Sequence, residues 1–376
     1  MTTLAASPDS QVIATYRFPP GIDAARQAEI IAIGQTLGSA DARFTGREQA
    51  LAACRGEVLE VRADGDGARA LVAFPVANTE RDIGTLLTMV FGKYSLAGPA
   101  RLVDLRLPAD FGTRPRFGIA GLRARVGVAG RPLLMAIFKP ALGLTAADHA
   151  TLLRAVAGTE LDLVKDDEIL GNLAQAPTLE RLRACRPVIE TIRDRRGRDF
   201  LYAVNVTGRA DTLLATARAL VAEGANALLL NVLVYGYPML EALARDPAIG
   251  VPIIAHPALA GALALAPDHG IDYALVLGRL MRRAGADIVL HPARFGSLPF
   301  SAADEARVIT ALTDRDGAWP AVFPGPSAGI KPAIVPALLA DYGRDLVINA
   351  GSAIFDAATG PKAAVEAFLA AMDAGL

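Results

Sequence analysis

The chain is poor in the residues that carry several common kinds of chemistry. In 376 residues it has two cysteines, Cys54 and Cys185, and no CxxC pair. That argues against a disulfide framework and a cysteine zinc site. Charge of one sign is lacking too: 38 basic residues face 39 acidic ones, for a net charge of −1. With no basic run, neither nucleic acid nor an anionic membrane is the expected partner. No uninterrupted apolar stretch reaches the roughly 18–20 residues that a spanning helix needs. The start, Met1 to Val12, is polar and lacks the charged-then-apolar order of a signal peptide, so a cytoplasmic protein is expected.

Lysine is the most informative scarcity. Of 38 basic residues only five are lysine: Lys93, Lys139, Lys165, Lys331 and Lys362. In a chain that otherwise uses arginine, a retained lysine is a candidate for needing a primary amine, which arginine cannot supply as a base or carbamate former. Lys362, on a C-terminal helical stretch, needs no such explanation.

What is present is core-forming material: 52% of residues are hydrophobic and 20% charged, enough for a barrel plus a smaller domain. Residues 1–125 read as an α+β unit. Gln11–Phe18 is a strand pattern, and Asp23–Leu37 has helical spacing. Glu57–Phe74 reads as a hairpin turning at Asp64-Gly65-Asp66-Gly67; Arg81–Phe91 is helical and Arg101–Leu107 a strand. The order β-α-β-β-α-β predicts a ferredoxin-like domain. The Gly-, Pro- and Arg-rich stretch Gly112–Gly130 holds the expected boundary, with the second domain spanning 126–376.

Beyond Arg131, eight short apolar runs alternate with helical stretches: Leu133–Lys139, Leu161–Lys165, Leu201–Val206, Ala227–Asn231, Pro252–His256, Asp287–His291, Ala321–Pro324 and Leu346–Ala350. Near-continuous apolar strands separated by helices predict a parallel sheet covered on both faces, and eight such units predict a (β/α)8 TIM barrel. An open doubly wound sheet is the competing reading.

Barrel active sites sit at the C-terminal ends of the strands. The conspicuous polar residues fall there: Lys139 on the first strand, Lys165-Asp166-Asp167-Glu168 on the second, Asn205 and Thr207 on the third, Asn231 on the fourth, His256 on the fifth and His291 on the sixth. Alternation sends Lys165 and Asp167 to one side and Asp166 towards the helices, while Glu168 can turn inward at the strand end. A buried lysine with carboxylates is either a plain ion pair or, once its amine is carbamylated, part of an oxygen cage for a hard cation such as magnesium. Composition leaves both open. Two Gly/Ser turns, Gly325–Gly329 and Ala350–Ser352, follow the last two strands, where barrels cradle phosphate on backbone N–H groups; Lys331 would add charge.

These residues resemble a known family. The run Gly130–Leu144, containing Phe138-Lys139-Pro140, followed by Asp162-Leu-Val-Lys-Asp-Asp-Glu168, is similar to the large chain of ribulose-bisphosphate carboxylase (RuBisCO). Asp104–Pro108 and the turns at Ser327, Gly329 and Gly351 fit as well, so the resemblance covers nearly the whole chain. It implies that Lys165, as a carbamate made from CO2, binds Mg²⁺ with Asp167 and Glu168. It also implies that Lys139 moves protons at an enolisation step and that His256 and His291 surround the substrate. The minimal unit would be a homodimer in which one subunit's N-terminal domain closes the other's barrel.

The departures point away from carboxylation. Carboxylases read Lys-Pro-Lys where this chain has Lys139-Pro140-Ala141, and have an arginine, which helps hold a second phosphate, where it has Pro257. Their loop after the sixth strand carries a lysine; here Pro292–Phe300 has only Arg294. A glutamate is replaced near Gly34 and an asparagine by Lys93. The chain thus resembles a RuBisCO-like (form IV) protein that enolises a mono-phosphorylated sugar derivative without fixing CO2. The expected substrate-binding residues are Asn205, Arg294, Ser327, Gly329, Gly351, Ser352 and Lys93.

The first expectation for the reaction is decarboxylation, or carboxylate transfer and hydrolysis, of a 3-oxo acid sugar phosphate such as 3-oxo-isoapionate 4-phosphate. The alternative is an enolase or isomerase acting on a methylthio-sugar phosphate in methionine salvage. A silent binding or regulatory member is the reading from another class; retention of Lys139, Lys165, Asp167 and Glu168 speaks against it.

Overall fold

The computed structural model describes residues 8–38, 46–314 and 319–375, so the start of the polar Met1–Val12 stretch lies outside the described residues. The chain divides into two compact units, residues 1–113 with 259–276, and residues 114–258 with 277–376.

In the first unit, Gln11–Phe18 alternates strictly, burying Val12, Ala14, Tyr16 and Phe18 on one face. Helix Ala24–Gly34 buries Ala24, Ala28, Ile31 and Ala32, a one-sided helical stripe, and the Asp23 carboxylate caps it by accepting from Arg26 N at 3.0 Å. Strands Glu57–Asp64 and Gly67–Pro75 pair antiparallel across the expected turn, where Gly65 takes a φ of +62°. The sheet order is Arg101–Arg106, Gln11–Phe18, Gly67–Pro75, Glu57–Asp64, all antiparallel, the arrangement of a ferredoxin-like sandwich.

One edge carries something the local pattern did not announce. The short strand Gly270–Ile271 pairs parallel to Arg101–Arg106. Arg101 secures it, donating to the Ala264 carbonyl at 3.0 Å and the His269 carbonyl at 3.3 Å, with Asp272 3.6 Å away. Residues 259–276, expected inside the barrel domain, therefore belong to the N-terminal unit.

The second unit is an all-parallel eight-stranded sheet. Its strands are Leu133–Ile137, Leu163–Lys165, Leu201–Asn205, Ala227–Asn231, Ile253–His256, Ile288–Pro292, Phe323–Ser327 and Val347–Ala350. Counted in that order, neighbours run seven, six, five, four, three, two, one, eight. The two end strands, the seventh and the eighth, lie against each other, and Asn349 Nδ2 donates to Ser327 Oγ across that seam at 2.8 Å, as in a barrel. Nearly every strand residue is buried, because one face fills the interior and the other meets helices.

Helix Gly118–Val126 closes the N-terminal end, sending Leu122 and Val126 into the barrel core beside Leu133, Leu163 and Leu201. Asp287 holds its start, accepting from Phe117 N at 2.7 Å and Gly118 N at 2.9 Å. Gly118 has φ +57°, and a Cβ there would sit 2.7 Å from the Ala321 carbonyl. The division at 113/114 thus precedes the expected boundary at 125/126, because this helix packs with the barrel. Among the described residues no helix is long and apolar enough to cross a membrane.

Candidate active site

The C-terminal ends of the barrel strands surround a cavity of about 610 Å³. Lys139, Lys165, Asp167, Glu168, His256 and His291 line it together with the turns Ser327–Lys331 and Gly351–Ser352. Ile137, Leu298, Ile330, Ala353 and Ala357 give part of the wall an apolar character.

The floor is a paired charge cluster. Lys139 Nζ donates to Asp167 Oδ2 at 2.6 Å. Lys165 is fully buried; its Nζ donates to the Asp166 carbonyl at 3.1 Å and lies 3.8 Å from Glu168 Oε2. Burial lowers the Lys165 pKa, against the raising pull of Glu168, Asp167 and Asp166. Burial alone would raise the Asp167 carboxyl, but the hydrogen bond from Lys139 and the backbone N–H of Ile169 leave it lowered.

Asp166 points the other way, as strand alternation requires. Its carboxylate accepts from Tyr202 OH at 2.6 Å, Arg181 Nη2 at 2.9 Å and Asn205 N at 3.0 Å, and Asp166 and Arg181 are both fully buried. Asn205 props the cluster from behind: its Nδ2 donates to the carbonyls of Asp167 and Glu168, each at 3.1 Å. Asn231 Nδ2 adds a third support, to the Glu168 carbonyl at 2.9 Å.

The two histidines are held in defined tautomers. His256 Nδ1 accepts from Ala258 N at 3.2 Å, which leaves its proton on Nε2, 3.6 Å from Glu168 Oε2. Burial and then the Lys165 charge push its pKa down to about 3. His291 Nδ1 lies 2.9 Å from the Pro292 carbonyl, an acceptor only, so Nδ1 carries the proton; Nε2 has no partner among the described residues. Burial holds the His291 pKa down at about 4.

The structure thus gathers Lys139, Lys165, Asp167, Glu168, His256, His291, Ser327, Gly329, Gly351 and Ser352 at one cavity. Two expected substrate contacts of the barrel unit, Asn205 and Arg294, are not in this lining. Asn205 supports the acidic pair from below. Lys93 is an exposed residue of the first unit. Arg294 is not in the cavity lining; its guanidinium is engaged by Asp341 and lies 3.9 Å from Glu305 Oε2. Asn349, one residue before the end of the eighth strand, lines the cavity as well and went unread in the sequence.

The model of the ribulose bisphosphate carboxylase large chain, catalytic domain, matches residues 118–376. A 2,3-diketo-5-methylthiopentyl-1-phosphate enolase from Microcystis aeruginosa is 54% identical over 96% of this chain and 92% of its own length. One of the same name from Bacillus licheniformis is 41% identical over 98% of this chain and 93% of its own length. Among solved structures, a rubisco-like protein from Alicyclobacillus acidocaldarius superposes with a TM-score of 0.89 at 40% identity, covering 98% of this chain and 94% of the other. The ribulose-1,5-bisphosphate carboxylase/oxygenase of Pyrococcus horikoshii superposes at 0.91 with 26% identity, covering 98% and 88%. The chain therefore belongs to the ribulose bisphosphate carboxylase large-chain family, as one of its RuBisCO-like members.

Proposed function

We propose that this protein enolises a phosphorylated diketone, with 2,3-diketo-5-methylthiopentyl-1-phosphate as its substrate. The observation that carries the reading is the Lys139–Asp167 pair at 2.6 Å, beside Lys165 and Glu168, on the floor of a cavity that joins two Gly/Ser turns to apolar side chains. The names of the curated relatives support this choice over the 3-oxo acid sugar phosphate expected first. The apolar side chains at Leu298 and Ile330 suit a methylthio tail better than the carboxylate of a 3-oxo acid.

Enolisation removes a proton from a carbon next to a carbonyl and returns one to the enolate oxygen, with no net change in atoms. In this reading Lys139 Nζ takes the proton as the neutral amine, its lone pair turned to the substrate while one of its N–H bonds still donates to Asp167. His291 Nε2 is a free acceptor suited to an enol hydroxyl, and His256 Nε2–H orients Glu168. The turns at Ser327, Gly329, Gly351 and Ser352, with Lys331, hold the phosphate through backbone N–H groups and charge. Carboxylation is not part of the reading, because the loop 292–300 has no lysine and its one basic residue, Arg294, is engaged by carboxylates outside the cavity.

The donor set fits magnesium in one form. Among the described residues no three His, Cys, Asp or Glu side chains group as ligands. Asp167 and Glu168 therefore need a third oxygen donor, which Lys165 provides once carbamylated. The bound ion supplies Lewis-acid stabilisation of developing negative charge on oxygen. A homodimer belongs to the same reading, with Lys93 of the partner subunit completing the cavity.

Phosphorus NMR with magnesium and bicarbonate tests the choice. A new phosphorylated product from 2,3-diketo-5-methylthiopentyl-1-phosphate, with 3-oxo-isoapionate 4-phosphate unchanged, is the expected result. Turnover of the 3-oxo acid alone would reverse it.

A further inference from the structure

The loop after the sixth strand is tied down on two sides. On one side it lies against the turn after the seventh strand. Ala293 N donates to the Ser327 carbonyl at 3.0 Å, and Ser297 N to the Ala328 carbonyl at 2.7 Å. Gly296 passes so close to Ala328 that a Cβ there would lie 2.1 Å from its carbonyl oxygen. Only glycine allows that approach.

On the other side Arg294 reaches into a small polar cluster. Its backbone N–H donates to Glu305 Oε1 at 3.3 Å, and its guanidinium pairs with Asp341 and stacks on Phe295 with its centre 4.3 Å from the ring centroid. Tyr342 OH donates to Glu305 Oε2 at 3.0 Å, so two helices, Ala302–Thr313 and Val335–Tyr342, share in the anchor. Glu305 is fully buried, which makes the Arg294 charge beside it costly to remove.

Directly after these anchors the loop presents Leu298, an exposed leucine (53%) that lines the cavity. An exposed leucine on a fully mobile loop gains little by meeting a ligand, because ordering the loop offsets the contact. A loop already fixed has no such cost.

We infer that Arg294 is a positioning residue that fixes this loop as a standing wall of the cavity, and that Leu298 on it is the specificity determinant for a substrate with an apolar tail. The inference rests on the proposed diketone reading for its substrate, and on the loop geometry for its clamp. Arg294 acts at a distance from the substrate; Leu298 touches it, with Ile330 in the same wall.

Two measurements on the full-length protein test the two halves separately. The first compares kcat/KM for 2,3-diketo-5-methylthiopentyl-1-phosphate with that for 2,3-diketopentyl-1-phosphate, which lacks the methylthio group. Leu298→Ala lowers the ratio of the two by about tenfold, the scale for losing a contact with one small apolar group. Arg294→Met lowers it in the same direction, and Arg294→Lys restores part of it. An unchanged ratio in Leu298→Ala overturns the specificity role.

The second is hydrogen–deuterium exchange of residues 293–300. Arg294→Met, and separately Asp341→Asn, which leaves the Arg294–Glu305 contact in place should the first variant fold poorly, speed exchange in this loop by about tenfold or more. Exchange unchanged in both variants overturns the clamp. If the wild-type protein turns over neither diketone, the functional reading and the tail specificity fall together, and exchange alone decides the clamp.

Discussion

Lys139 Nζ sits 2.6 Å from Asp167 Oδ2 at the floor of the cavity, an amine and a carboxylate brought from adjacent strands into direct contact. A lysine so placed can exchange a proton with substrate while a neighbouring carboxylate fixes its position. Lys139→Met is predicted to lower the rate of proton exchange next to the substrate carbonyl by about 10²–10⁴-fold, with the circular dichroism spectrum unchanged. A rate within a few-fold of wild type would pass the proton-transfer role to another group lining the cavity.

Asn205 holds the carbonyls of Asp167 and Glu168 from beneath, at 3.1 Å each. Removing that support leaves the carboxylates present but free to turn. Asn205→Ala is predicted to weaken magnesium binding by about 10–100-fold, measured by titration calorimetry in bicarbonate buffer. Wild-type affinity in the variant would mean that strand geometry alone orients the pair.

The buried Asp166–Arg181 pair is predicted to matter for stability more than chemistry. Arg181→Met strands a carboxylate that is fully buried, a loss of about 3–5 kcal/mol. Tyr202→Phe removes one of its three hydrogen bonds, at 2.6 Å, and costs about 1–3 kcal/mol. Urea denaturation of the two variants checks the ranking, and equal small losses would contradict it.

His291 gives the fold a pH dependence of known sign. Its folded pKa of about 4 lies below the ordinary 6.5, so the unfolded chain takes up a proton that the folded one refuses. The stability at stake is whole above pH 6.5 and is lost as pH falls towards 4. Between pH 7 and pH 5 the wild type is therefore predicted to lose about 2 kcal/mol more than His291→Gln. Parallel denaturation curves at both pH values would remove His291 from the acid limb.

Much of this was legible in the residues because barrel strands are apolar on both faces. Ala227–Asn231 and the turn at Asp64–Gly67 stand where the pattern puts them, and Lys139, Lys165, Asp167, Glu168, His256 and His291, at or near strand ends, line the cavity. Alternation also separates Asp166 from Lys165 and Asp167. What the pattern could not carry were contacts between distant segments. Arg294 has the charge and the loop position of a substrate ligand, but its partners Glu305 and Asp341 come from two later helices. The segment 259–276 joins the N-terminal sheet through Arg101, more than a hundred and fifty residues earlier in the chain. Asn349 was missed because it stands one residue inside its strand, before Ala350, where a pattern of polar strand ends does not reach. Only its bond to Ser327 places it.

The central claim is enolisation at the Lys139–Asp167 floor. Its most direct test is proton NMR of 2,3-diketo-5-methylthiopentyl-1-phosphate in D2O with the magnesium-loaded, bicarbonate-treated protein. The predicted result is loss of a proton signal next to a carbonyl, as deuterium enters, with wild type and not with Lys139→Met. Full retention of those protons with folded, metal-loaded wild type would contradict the account.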